Sequence, residues 1–340
     1  MTPGRLFSRW GLLLFFLAVF GGFSLWLPHK FPTSGNVQDI LTSQPPGIFI
    51  AYAAMLVLVV GEFDLSIGAT LAFCGYLVLK FVTHYGLSWP AAVIAALGVG
   101  AAIGSINSIL AVGLGINSFI ATIGVATILE GLLEWISSGN QPIYAGAPHG
   151  FTTLARTKEV VVLPVYYSLV GAIVLWVLLE FTVIGRQMRA TGANRAAAKL
   201  SGIHTGRARV TAFVLAGLLS ALGGILITAQ VGAADASPAT GSSYLLPAYA
   251  AAFLGATAIR PGFFNVWGTV IAIFLVAVGI TGLQLEGAET WITPVFNGSV
   301  LLFAVAVSNF AATQRVLVRA RNAVPRRRRA VAAAPPPESA

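Results

Sequence analysis

Apolar stretches close to the length of a membrane crossing recur from residue 11 to residue 310. Ten fall roughly at 11–27, 47–61, 65–82, 91–113, 118–138, 164–181, 210–230, 244–259, 264–285 and 291–310. A straight helical crossing takes about 20 mostly apolar residues, and several of these are shorter than that. Only 9% of the residues are charged, against roughly a quarter in a typical soluble domain. A soluble fold of 340 residues could not clothe its surface with so few charges. Lipid offers no water to unpaired backbone groups, which leaves helices as the fitting element for runs of this length. The expected fold class is all-α: a polytopic membrane protein with about ten transmembrane helices, spanning 1–310 as one transmembrane unit.

The first run, Gly11 to Leu27, follows Arg5 and Arg9 as a signal sequence would. No small-x-small cleavage pattern accompanies it, and it reads as a retained span. Arg186, Arg189, Arg195, Lys199, Arg207 and Arg209 lie between the sixth and seventh runs, and seven further arginines follow the tenth. With ten spans, all three basic segments fall on one side. The positive-inside rule makes that side the cytoplasm, with both termini there. Residues 311–340, with Arg326 to Arg329 followed by an Ala/Pro run, read as a disordered tail whose arginines touch anionic lipid. No folded module accompanies them that would suggest nucleic-acid binding.

The ionisable residues exclude several chemistries. His29, His84, His149 and His204 are scattered, and none sits three or four residues from another His or from Cys74, so no metal site is expected. HExxH and G-x-S-x-G patterns are missing, which argues against an intramembrane enzyme. None of Lys30, Lys80, Lys158 or Lys199 follows a glycine, so the chain has no Walker A loop of its own.

Polar residues inside apolar runs are the informative ones, because hydrocarbon penalises each of them. Gly61-Glu62-Phe63-Asp64-Leu65-Ser66-Ile67-Gly68 interrupts a stretch that would otherwise run from Gly47 to Val82. Asp64 can cap the following helix through the Ile67 amide, and its carboxylate can line a passage; the two roles are compatible. A second break, from Gly255 through Arg260-Pro261-Gly262 to Asn265, is a faint sign of duplicated halves with broken helices. Gly100 and Gly104 suit close helix packing, while the amides of Asn107 and Asn117 require partners or water. Between residues 182 and 209, Arg195-Ala196-Ala197-Ala198-Lys199-Leu200 is helix-prone, and Ser201-Gly202 gives it a stop. A short surface helix there suggests a docking element for a soluble partner.

The stretch Gly185-Arg186-x-x-x-Ala190-x-Gly192-x-Asn194-x-Ala196-Ala197-x-x-Leu200-Ser201-Gly202-Ile203 resembles the coupling loop of sugar ABC-importer permeases of the ribose/xylose type. Asp64-Leu65-Ser66-Ile67-Gly68, Phe119-Ile120-Ala121-Thr122, Ala216-Gly217-Leu218-Leu219 and Gly223-Gly224-Ile225 are similar to other motifs of that family. The matches run from about residue 35 to residue 309. The resemblance implies a permease in a bacterial cytoplasmic membrane, paired with a second permease copy, identical or similar. A cytoplasmic ABC ATPase would bind ATP and Mg and dock on the loop, with Gly185, Arg186, Gly192, Asn194, Ala197, Leu200 and Gly202 as the coupling set. An extracytoplasmic sugar-binding protein would deliver a monosaccharide or similar polyol. Asp64, Ser66, Asn107, Asn117 and Tyr244 are the candidate pathway residues. Where the family often has Gly-Gly-Ile-Asp-Leu-Ser, this chain has Gly61-Glu62-Phe63-Asp64. The alternatives are the same machine for a branched-chain amino acid or nucleoside, or an ion-coupled transporter built on Glu62, Asp64 and Glu130.

Overall fold

The computed structural model describes residues 3–156 and 163–307, with side chains from Trp10 onward. The arginine-rich tail at 311–340 and the side chains of Arg5 and Arg9 lie outside the described residues. In chain order the helices are α1 (Pro3–Trp26), α2 (Ser34–Ser43), α3 (Pro45–Val59), α4 (Ser66–Thr83), α5 (Trp89–Ser108) with a π turn (Ile109–Gly113), α6 (Ser118–Ile136) and α7 (His149–Arg156). They continue as α8 (Leu163–Phe181), α9 (Val183–Ala193), α10 (Arg195–Leu200), α11 (Thr205–Val231), α12 (Pro238–Gly255), α13 (Val266–Leu285) and α14 (Ile292–Val307). Six of them (α4, α5 with its π turn, α6, α8, α11 and α13) are long and apolar enough to cross a membrane, and α2 and α3 reach that length only together, as a pair bent by 41° that forms a broken span or a re-entrant loop. Trp10–Trp26 of α1 and α14 are shorter apolar helices, and α12 has 18 residues. These helices occupy all ten of the expected runs. The chain is an all-α polytopic membrane protein.

α3 is the axis. Its residues are apolar on every side, apart from the Tyr52 hydroxyl, which donates to the Ser168 carbonyl at 3.1 Å. A helix without a polar face is stable only when surrounded, and every residue from Pro45 to Val59 is buried. α11, α12 and α13 enclose it, and α11 also packs along α4 and α5. The last contacts are made backbone to backbone. A Cβ on Gly100 would lie 2.6 Å from the Gly217 carbonyl oxygen, and one on Gly75 would lie 2.9 Å from that of Gly224. Gly100 and Gly104 therefore serve the close packing their spacing suggested.

The loops gather at two ends. At one end Lys80 donates to the Ile136 carbonyl, Tyr76 to that of Gln141, and Ile143 pairs with Ala234. At the other end meet both polar breaks, the π turn, α9 and α10. The breaks resemble each other locally: Asp64 and Asn265 are both buried and both accept an amide at the start of the next helix. Beyond that they differ, since α12 folds back along α13 whereas α3 and α4 diverge.

Candidate functional site

The first break is a backbone segment held by other helices' side chains. The Phe63 amide donates to Ser118 Oγ at 3.2 Å and the Leu65 amide to Thr122 Oγ1 at 3.0 Å, both on α6. The Asp64 amide donates to Tyr249 Oη on α12 at 2.9 Å, and that hydroxyl donates in turn to the Asp64 carbonyl at 2.9 Å. The Phe63 ring stacks on Tyr249 and meets Phe119 edge-on. These buried amides have left the helical ladder, so each needs a partner from elsewhere.

Within this frame Asp64 is 1% exposed. Its Oδ1 accepts from the Ser66 amide at 2.9 Å and from Ser66 Oγ at 2.6 Å. Asp64 is not the N-cap expected from sequence: α4 begins one residue later, with Leu65 in the cap position, so the carboxylate takes the Ser66 amide rather than that of Ile67. Asn107 Nδ2 donates to both carboxylate oxygens, at 3.2 and 3.1 Å, and to Ser66 Oγ at 2.7 Å. Asp64, Ser66 and Asn107 thus form one buried polar knot joining α4 to α5. The other two candidate pathway residues lie apart. Asn117 is exposed at the start of α6, capping it through the Phe119 amide at 3.0 Å. Tyr244 packs on Gly47 near the beginning of α3, at 3.7 Å from the position a Cβ would take there. A cavity of about 550 Å³ between α3, α8 and α11 is lined by apolar side chains such as Phe49, Leu175 and Leu222, and includes none of the five.

The basic loop folds as two short helices. Asn194 ends α9 and caps α10, its Oδ1 accepting from the Ala197 amide at 2.9 Å. Gly202 terminates α10 with φ near +79°, a conformation that costs glycine little. The coupling set divides by packing. Gly185 is buried and Gly192 exposed, but a Cβ on either would overlap backbone, at Leu178 and at Val59 respectively. Arg186, Asn194, Ala197, Leu200 and Gly202 are exposed, Leu200 at 91%.

Two carboxylates fasten this segment, and sequence reasoning passed over both pairings. Glu62, in the first break, binds Arg195 of α10 and also Arg209 of α11, the latter at 2.7 Å. Arg209 further donates to the Ala111 carbonyl in the π turn at 2.9 Å. Glu180, at the end of α8, binds Arg189 of α9 and Arg260 of the second break. A buried acid in an apolar run needs a countercharge, which was the available signal. The partners lie 133 residues away in the case of Glu62 and Arg195, too far for spacing to reveal them. Glu62 therefore has its charge already matched by arginine, which removes the motive for reading it as a coupling-ion ligand.

The chain matches the family described as branched-chain amino acid transport system, permease component, over residues 36–305. It is 34% identical over 271 residues to the ribose import permease protein of Bacillus subtilis (strain 168), covering 79% of this chain and 83% of the relative. It is 29% identical over 296 residues to the D-allose transport system permease protein of Escherichia coli (strain K12), covering 87% and 89%. It is 28% identical over 311 residues to an L-arabinose ABC transporter permease protein of Azospirillum brasilense, covering 92% and 90%. No solved structure gives a significant match. The chain belongs to this permease-component family and is a transport protein rather than an enzyme.

Proposed function

We propose that this family member is the membrane-spanning subunit of an ATP-driven importer that admits a monosaccharide or similar polyol to the cytoplasm of a bacterium. The carrying observation is the capped, outward-facing α10, with Ala197 and Leu200 exposed on a segment anchored from beneath by Gly192, Glu62 and Glu180. An exposed leucine on a rigid basic helix suits a docking contact better than a solvated connector. The ribose, allose and arabinose permeases among the relatives support a sugar as the solute over an amino acid or nucleoside.

The basic residues of the 182–209 segment lie at the end that carries both breaks, and the positive-inside rule assigns that end to the cytoplasm. A separate ABC ATPase would dock there and bind ATP and Mg. A sugar-binding protein would deliver solute at the opposite end, and a second permease copy would complete the assembly. The outward faces of α5, α6 and α8 remain open to such a copy and to lipid, with Ile94, Ile120, Ile128 and Val170 exposed. The buried knot at Asp64 would then position the helices that border the passage, while sugar affinity resides mainly in the receptor.

The test is uptake into proteoliposomes holding the permease, its ATPase and its binding protein, with labelled ribose, allose and arabinose beside a branched-chain amino acid and a nucleoside. ATP-dependent accumulation of a pentose or hexose is expected. Uptake without ATP, driven by an ion gradient, would replace this reading with a secondary transporter. ATP-dependent accumulation of the amino acid or nucleoside alone would keep the machine and change its cargo.

A further inference from the structure

The geometry points to Glu62 as the positioning residue through which the α9–α10 segment moves the buried knot at Asp64. The inference rests on the ATP-driven reading and adds to it the physical link between the docking helix and the membrane core. Glu62 is two residues from Asp64, and its side chain is 7% exposed. One of its oxygens, Oε1, takes both Arg195 on α10 and Arg209 on α11. The backbone between Glu62 and Ser66 has no helical ladder of its own. Its amides are tied instead to α6 and α12 through Ser118, Thr122 and Tyr249.

Arg209 alone can keep the buried Glu62 carboxylate compensated, so the pair with Arg195 serves as a tie between α10 and the break rather than as the charge balance itself. Displacement of α10 therefore draws Arg195 against Glu62, and Glu62 against the segment that ends in Asp64. Arg209 supplies the fulcrum. It belongs to the long α11, and its second bond to Ala111 fixes it to the π turn that follows Asn107. Through this single carboxylate, α10 reaches the Asp64 side of the knot while Arg209 steadies the Asn107 side. Gly192, pressed on the Val59 carbonyl just before the break, keeps the lever arm short. The Glu180 pairings with Arg189 and Arg260 are more open, and they lead to the second break rather than to the knot.

The experiment compares wild type with Glu62→Gln, Arg195→Gln and Arg195→Lys in the reconstituted complex. It reads thermal stability, co-purification of the ATPase, and solute moved per ATP hydrolysed. Arg195 has 46% of its side chain exposed, so its variants test the link without threatening the fold. Glu62→Gln and Arg195→Gln should each lower the transport-to-hydrolysis ratio by about fivefold or more, the range in which coupling between sites is usually found. ATPase association and thermal stability of Arg195→Gln should stay at the wild-type level, and Arg195→Lys should restore most of the ratio by restoring the charge. Wild-type ratios in both glutamine variants would overturn the inference while leaving the ATP-driven reading intact. Loss of ATPase association in Arg195→Gln would also overturn it, since the pair would then serve docking rather than transmission. Uptake by the wild type without ATP would instead remove the reading on which the inference rests.

Discussion

Gly192 of α9 lies so close to the Val59 carbonyl oxygen, at the end of α3, that a Cβ on it would overlap that oxygen. The contact joins the basic segment to the central helix and makes Gly192 a packing residue before it can be a docking residue. Gly192→Leu should therefore destabilise the protein, by about 1–3 kcal/mol if the helices can yield and more if they cannot. Thermal unfolding in detergent checks this. A variant as stable as wild type would mean that α9 can lift from Val59 at little cost.

Docking is better examined on the outer face. Leu200 is exposed while Ala198 beside it is buried, so α10 presents one side to the protein and the other outward. Leu200→Asp and Ala197→Trp should leave thermal stability unchanged and reduce recovery of the ATPase with the permease. Interface residues cost 1 kcal/mol or more when truncated in about a third of cases or fewer, so the double variant is the stronger probe. Full co-purification from the double variant would move the docking surface away from α10.

The six helices long and apolar enough to cross a membrane were legible because apolar runs of that length have few other uses, and α10 was legible because alanine-rich sequence between Asn194 and Gly202 carries both of its end signals. Asp64 and Asn107 could be singled out as costly polar groups. Their meeting could not, since it depends on α4 and α5 crossing at a place no periodicity encodes. The same reason hid the Glu62–Arg195 pair and the close approach of Gly192, itself exposed, to the Val59 carbonyl. Asn117 shows the converse: an amide that looked expensive in an apolar run is exposed at a helix start, where it caps.

Tyr249 holds the first break by a donor and an acceptor together. Tyr249→Phe keeps the ring that stacks on Phe63 but strands the buried Asp64 amide and carbonyl. An unsatisfied buried group costs about 1–3 kcal/mol, so the variant should unfold earlier than wild type. Thr122→Val, which strands only the Leu65 amide, should cost about 1 kcal/mol. Equal stability of Tyr249→Phe and wild type would show that water reaches the break and replaces the hydroxyl.

Asp64 itself separates a structural from a transport role. Asp64→Ala removes the acceptor for the Ser66 amide, the Ser66 hydroxyl and the Asn107 amide at once. With stranded donors costing about 1–3 kcal/mol each, it should assemble poorly. Asp64→Asn keeps one oxygen for Ser66 but sets a new amide against that of Asn107. Asn107 can turn its side-chain amide over so that Oδ1, now buried without a partner, accepts from the new amide, but its Nδ2 then gives up its acceptors and takes the unpartnered position. The Ser66 hydroxyl can then donate where it now accepts. Asp64→Asn is therefore expected to lose about 1–3 kcal/mol of stability and to assemble better than Asp64→Ala. Because the carboxylate is buried and directed at Ser66 and Asn107, uptake per assembled complex should stay within about twofold of wild type, less than 1 kcal/mol of barrier. The measurement is labelled-solute uptake normalised to ATPase-bound permease for the three proteins. A loss of tenfold or so per assembled complex in the asparagine variant would place the charge of Asp64 in the passage, exposed to solute in some step of the cycle.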